Sequence, residues 1–352
     1  MKAIDPQNET EQLHWLAFFA LNGEVTIEQL RDSVVSMPAA SLETLVQLAD
    51  LHHVLLRIFE PVASVGSAPG PLISGQRAAN ANTLVHIAKV CHSLESQGCP
   101  VMVIKSTDHW PDLGNDVDLF TTGEPNSVHR VLKDECNAEC QPQNWGDRLA
   151  NKWNFRLPGL RPLVELHINR LGQTGELNSY GKELIERRHR RNFEGTPLWV
   201  PAREDQIVLA TLQRLYRHFF YRICDFADGL AAVAEPFDFE LLRLIAKRQG
   251  IWQGVATHLR LLSEYAEHYT GAAPALPPFV RKAARFGIER LYPHAGYLRL
   301  PLFPQGATLW GHQVIKTWHR RNRSGVLRLG LVPPLAAAAS AAYKVTRKQR
   351  IW

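Results

Sequence analysis

The sequence is short of several features that would place it in a specialised class. Its 5 cysteines among 352 residues, Cys91, Cys99, Cys136, Cys140 and Cys224, are odd in number and too scattered for a disulfide scaffold. A reducing compartment, and with it a cytoplasmic location, is the simpler setting. The opening MKAIDPQNETEQ places Asp5, Glu9 and Glu11 ahead of the first apolar run, the reverse of a secretory leader. Long apolar runs are missing as well. The stretch from Leu329 to Tyr343 is interrupted by Pro333 and Pro334, and it is shorter than the ~20 residues that span a bilayer. No transmembrane segment is expected. Acidic residues are absent from His312 to Trp352, where Lys316, Arg320, Arg321, Arg323, Arg328, Lys344, Arg347, Lys348 and Arg350 gather. The formal net charge of +6 therefore belongs to a basic tail on a slightly acidic body.

What remains is ordinary for a folded chain. A hydrophobic content of 45% and a charged content of 21% exclude collagen-like, disordered and multi-span membrane classes. Residues 10–60 read as helices: TEQLHWLAFFAL has helical apolar spacing, Thr26 is an N-cap before IEQL, and SLETLVQLADLHHVLLRIF runs as one helix from Ser41. The Gly-, Pro- and Ser-rich PVASVGSAPGPLISGQ predicts a loop or hinge, followed by a helix over 81–96.

Then the texture changes. VMVIKS reads as a short buried strand. In DVDLFTT, Val117, Leu119 and Thr121 alternate with Asp116, Asp118 and Phe120, which predicts a strand with two carboxylates on one face. SVHRVLKDECN reads as a helix that places Cys136 and Cys140 one turn apart in structural roles, and NKWNFRLPG with RPLVELHIN as a strand pair turning at Pro158-Gly159. From Arg203 the chain reads as long helices. The expectation is an α+β fold, a small mixed sheet core flanked by N-terminal and C-terminal helical bundles. Its divisions are 1–78, a core over 79–200, a bundle over 201–300 and a basic, partly irregular tail over 301–352.

The informative constellation is Asp116-Val117-Asp118 together with Glu165 on a later strand. Carboxylates at i and i+2 share a strand face about 7 Å apart. With a third carboxylate they suit a pair of hard divalent cations, as two-metal phosphoryl or nucleotidyl transfer requires. Such pairs also occur on exposed strand faces that bind nothing.

Context adds to the pattern. Ala49, His52, His53 and Val54, then VMVIKS, NDVDLF, LVELHINR, P-A-R-E-D-Q-I-V-L and a His-bearing helix follow one another across residues 41–230. This order resembles the minimal nucleotidyltransferases of the DNA polymerase beta superfamily, in particular the bacterial branch with LKG, D-I-D-L and V-E-L-H. The resemblance implies an Mg²⁺-dependent enzyme that moves a nucleoside monophosphate from an NTP to a hydroxyl-type acceptor. It implies that Asp116, Asp118 and Glu165 bind two Mg²⁺ ions and act in catalysis, with Glu165 helping to deprotonate the acceptor. Lys105 and Ser106 then lie where the family has Lys-Gly against the nucleotide phosphates. Here Ser106 replaces glycine, its hydroxyl a potential donor to phosphate, and PDLGN stands where relatives carry a basic residue.

Several residues have two readings. Lys152 and Arg148 either reach the triphosphate or form a solvated edge. His167 shares the face of Glu165, as a neighbour of the metal or as a structural histidine, and the resemblance puts Arg217, His218, Asp225 and Asp228 on a helix that in relatives packs beside the nucleotide, where they either contact it or serve the helix packing. The basic tail binds RNA or an anionic membrane surface through anchors such as Trp318 and Trp352, or solubilises the terminus. The acceptor is open: a small metabolite, a sugar or peptide intermediate, a protein side chain or an RNA end. Two alternatives stand beside the enzyme reading: a degenerate nucleotidyltransferase fold kept as a binding or scaffold module, and an RNA-modifying nucleotidyltransferase toxin.

Overall fold

A computed structural model describes residues 8–64, 69–177, 179–234 and 236–334. Trp352 and the tail cations Lys344, Arg347, Lys348 and Arg350 lie outside them. The fold is mixed α+β around a small sheet. Helices α1 (Glu9–Leu21), α2 (Ile27–Val35), α3 (Ala39–Leu51) and α4 (Leu55–Phe59) precede the long α5 (Gly70–Ser96). The core then runs β1 (Val101–Val103), β2 (Asp116–Thr121), α6 (Pro125–Cys136), β3 (Glu139–Cys140), α7 (Trp145–Ala150), β4 (Lys152–Arg156) and β5 (Leu163–Ile168). After α8 (Tyr180–Glu186) and the hairpin β6 (His189–Phe193) and β7 (Thr196–Val200) come α9 (Arg203–Gln213), β8 (Phe220–Tyr221), α10 (Ile223–Ala234), α11 (Phe239–Gln249) and α12 (Trp252–Thr270). The described chain closes with α13 (Pro278–Ala283), β9 (Tyr292–His294), β10 (Tyr297–Arg299), α14 (Ala307–His319) and α15 (Arg323–Gly330).

The main sheet has the order β1-β2-β5-β4-β3. β2 and β5 are parallel, while β1 and β4 flank them antiparallel, so the sheet is mixed. Period-two alternation divides its residues between two environments. Val117, Leu119, Val164, Leu166 and Ile168 pack under α5 and α6, while Phe120, Met102 and Ile104 join a larger helical core. That larger core mixes Leu16, Leu45 and Phe59 with Ile207, Phe226, Ile245 and Leu259, so the first and last helical regions enclose one apolar interior.

Four local expectations are corrected. The helix expected over 81–96 begins at Gly70, because Pro71 falls in its first turn, where a missing N–H costs nothing. The single helix expected from Ser41 to Phe59 starts at Ala39 and breaks at His53, whose φ of +52° is left-handed. His52 holds that break from inside the core: Ile223 N–H donates to its Nδ1 at 2.9 Å, and its Nε2 lies 2.7 Å from Gly296 O. Asp112 then caps the new helix α4, accepting from Leu56 N at 2.9 Å and Arg57 N at 3.1 Å. The long helix expected from Arg203 to Ala234 is split by a π-helical turn over Arg214–His218 and a left-handed Phe219. Cys136 and Cys140 do not share a helix, since α6 ends at Cys136 and Cys140 sits on β3.

Candidate functional site

The β2–β5 pairing sets the site. Its parallel register places Asp118 opposite Glu165, and β4 places Lys152 opposite His167. All four residues lie on the sheet face away from α5 and α6. Along β2 that face grades from exposed Asp116 through half-buried Asp118 to buried Phe120.

The side chains form one charged row. Asp147 Oδ1 is 3.0 Å from Lys152 Nζ, which also donates to Glu165 Oε2 at 2.8 Å. His167 Nε2 lies 3.1 Å from Glu165 Oε1 and 3.2 Å from Asp118 Oδ1, and Lys105 Nζ donates to Asp118 Oδ1 at 2.7 Å. Burial alone would raise the Glu165 pKa. The hydrogen bond and charge of His167, then Lys152 and Lys105, instead hold it well below the usual carboxylate range.

One ligand atom each from Asp118, Glu165 and His167 lies within 4.8 Å of the others, a spacing that admits a divalent cation. Two carboxylate oxygens and an imidazole nitrogen suit Mg²⁺ or Mn²⁺ as hard oxygen-rich donors, with Mn²⁺ the more tolerant of nitrogen. The donors thus fit one such ion. Asp116, which the sequence pattern joins to Asp118 and Glu165, stands at the exposed start of β2 and outside this triplet. His167, given two readings above, stands inside it.

Lys105 and Ser106 form the corner between β1 and β2. Lys105 adopts φ +61°, a conformation L-residues rarely hold, and this turn aims its ammonium at Asp118. Ser106 is buried, with its hydroxyl accepting from Asp118 N at 2.9 Å and donating to Asp116 O at 3.3 Å. The serine that replaces glycine therefore ties the corner to both ends of the D-x-D segment, and its hydroxyl is engaged there rather than turned toward a phosphate.

Of the remaining candidates, Arg148 is exposed on α7. His218 is held well below its ordinary pKa by burial and by Arg217 and Arg214. Asp225 and Asp228 are committed to internal pairs: Asp225 Oδ2 lies 2.7 Å from Arg214 Nε, and Asp228 pairs with Arg57 at 2.6 Å and with His109 Nδ1. Together with Lys105, Asp108 and Gln213 they line a small cleft of about 30 Å³ beside the carboxylate row.

The His109 cluster escaped sequence reasoning. His109 Nε2 is 4.0 Å from Cys224 Sγ, and burial is outweighed by Cys224 and Asp228, which raise the His109 pKa well above its ordinary value. Nothing in the spacing of His109, Cys224 and Asp228 announces that cluster, because it forms only when α10 folds back on the β1–β2 loop. Cys224 is fully buried, and the carboxylate of Asp228 is already shared between Arg57 and His109. The cluster accordingly locks the loop to α4 and α10.

No protein-family model matches this sequence, and no curated protein is significantly similar to it. Among solved structures, an antigenic nucleotidyltransferase-like protein from Paracoccidioides brasiliensis is similar at 17% identity, over 49% of this chain and 91% of that chain, with a TM-score of 0.32.

Proposed function

We propose that this protein binds a nucleoside triphosphate with a divalent cation on the Asp118–Glu165 face and transfers its nucleotidyl group to a hydroxyl-type acceptor. The observation that carries the reading is the in-register pair Asp118 and Glu165 on adjacent parallel strands, with His167 Nε2 between them. Asp118, Glu165 and His167 would hold one ion, and Asp116 lies on the same face to approach a second. A bound Mg²⁺ stabilises charge on the phosphates and lowers the pKa of an attacking hydroxyl.

The protein's own residues account for the rest. Lys105 and Lys152 neutralise the carboxylates they touch; with a cation on Asp118 and Glu165, the Lys105 ammonium would be available to phosphate oxygens, while Lys152 would keep Asp147 as a partner. Glu165, held well below the usual carboxylate range by His167, Lys152 and Lys105, enters the site as an anionic ligand, and beside the ion it would also help take the proton of the acceptor hydroxyl. Ser106 fixes the backbone that presents Asp116 and Asp118. A second reading, a nucleotide-binding module without turnover, is favoured by two observations: Asp118 and Glu165 are each paired with lysine, and Asp116 lies outside their cluster.

Thermal melts with Mg²⁺ alone, each NTP alone and both together test the reading. Joint ligation should stabilise the fold beyond either component, by about 2.7 kcal/mol at a hundredfold excess over Kd. Equal stabilisation by NTP without metal, unchanged in Asp118→Asn, would refute it. Release of pyrophosphate on adding acceptor candidates separates the enzyme from the binding module.

A further inference from the structure

We propose that the segment from Leu302 to Leu331 docks the protein peripherally on an anionic phospholipid surface. Among the described residues, large apolar side chains that are exposed concentrate here: Leu302, Phe303, Ile315, Trp318, Leu327 and Leu331, with Phe303 80%, Leu327 74% and Trp318 67% exposed. On α14 the buried face is Leu309, Gln313 and Thr317, which at 100° per residue puts Ile315 and Trp318 on the opposite side. On α15, Gly325 and Leu329 are buried, while Arg323, Leu327 and Leu331 follow one another at four-residue spacing on an outward stripe. Lys316, Arg320 and Arg321 are exposed in the same segment, Lys316 to one side of the outward face and Arg320 and Arg321 just past the end of α14.

Both helices are anchored to the body, so the face is held in place. Trp310 Nε1 donates to Leu329 O at 3.2 Å, and Arg328 Nη1 donates to Leu149 O at 2.9 Å and Thr174 O at 2.7 Å. The α7 helix that supplies Leu149 carries Trp145, itself 77% exposed, and Asp147, the partner of Lys152. The docking face and the carboxylate row thus share one short helix.

Charge selects the occupant. No Asp or Glu occurs from His312 to Trp352. A second copy, meeting patch to patch about a twofold axis, would set like charge against like. The chain's own last residues carry Lys344, Arg347, Lys348 and Arg350 and no acidic group, so they too would set like charge against Lys316, Arg320 and Arg321. A nucleic acid would satisfy the arginines but leave Leu302, Ile315, Leu327 and Leu331 in water. An anionic bilayer accepts both kinds of group, apolar side chains at the acyl boundary and cations among the headgroups. No described helix is long and apolar enough to cross a membrane, which fits a segment that lies on the surface.

The test is sedimentation of the full chain with phosphatidylcholine vesicles, with and without phosphatidylglycerol, at low and high salt, beside binding to poly(U). The wild type should partition onto the phosphatidylglycerol vesicles at low salt and far less onto phosphatidylcholine alone. Arg320→Gln with Arg321→Gln should weaken partitioning roughly 25-fold, about fivefold per cation. Trp318→Ser with Leu327→Ser should weaken it by roughly tenfold or more through lost apolar insertion. All four sites are exposed, so the melting temperature should stay put, and an altered melt in one pair leaves the other pair to decide. The proposal fails if anionic vesicles do not bind, or if the Trp318/Leu327 variant partitions like the wild type. It fails equally if that variant abolishes self-association instead of vesicle binding, or if poly(U) alone is retained by the arginines.

Discussion

Acid should loosen this fold well above the range in which carboxylates titrate, because His52 and His258 are fully buried and neutral. Burial lowers both from an ordinary 6.5 to about 4, with Arg214 adding to the effect and Asp225 opposing it, while Arg222 also lowers His52 and the Gly296 carbonyl raises it. Geometry gives the reason for His52: Ile223 N–H donates to Nδ1, so Nε2–H donates to Gly296 O, and a second proton has no acceptor. His258 Nδ1 meets Tyr221 Oη at 2.7 Å, and its Nε2 has no partner among the described residues. The unfolded chain takes up protons near pH 6.5 and the folded chain does not, so stability is full above 6.5 and lost as pH falls toward 4. At pH 5 an unfolded imidazole is about 97% protonated against about 9% in the fold, a loss of about 2 kcal/mol per histidine and about 4 kcal/mol for the pair. His109 works in the opposite sense, since its raised pKa contributes stability that is present below 6.5 and lost as pH rises. The assay must therefore compare variants. Urea unfolding at pH 7.5 and pH 5 should show His52→Gln with His258→Asn less stable at pH 7.5, yet with a pH-dependent loss smaller than wild type by about 4 kcal/mol. The same loss in wild type and double variant would show that His52 and His258 are not the source of the acid sensitivity.

Two further substitutions probe the links between the sheet and the helices. Arg214 is fully buried with Asp225 as its ion-pair partner at 2.7 Å, so Arg214→Met should cost about 3–5 kcal/mol by leaving an uncompensated buried carboxylate. Adding Asp225→Asn should recover part of that loss in urea midpoints. Asp112→Ala removes the acceptor for Leu56 N and Arg57 N and should lower stability by about 1–3 kcal/mol, with hydrogen exchange at those two amides rising first.

The strands and their sidedness were legible because they are local. The alternation in DVDLFT and LVELHI is a period-two pattern that burial of one face enforces, and the structure returns it at residues 116–121 and 163–168. The capping of α2 by Thr26 was equally local, its Oγ accepting from Gln29 N at 3.2 Å. Helix ends decided by distant partners were not legible. The break at His53 depends on Ile223 and Gly296, far along the chain, and the cap of α4 comes from Asp112. The candidate site divides in the same way. Asp118 and Glu165 stand together through register, whereas the lysine that each meets and the engagement of the Ser106 hydroxyl follow from how the corner at Lys105 turns.

The proposed site rests on Asp118, Glu165 and His167 binding a divalent cation jointly with a nucleotide. Electron paramagnetic resonance of free Mn²⁺, titrated against the full chain with and without a non-hydrolysable NTP, tests it directly. Beyond what the nucleotide alone chelates, Mn²⁺ signal should disappear into a protein-bound pool when nucleotide is present, and Asp118→Asn and Glu165→Gln should each reduce that uptake at least tenfold while circular dichroism is unchanged, since about 1.4 kcal/mol of lost carboxylate ligation suffices. Mn²⁺ uptake that is independent of nucleotide, or identical in wild type and both variants, would contradict it.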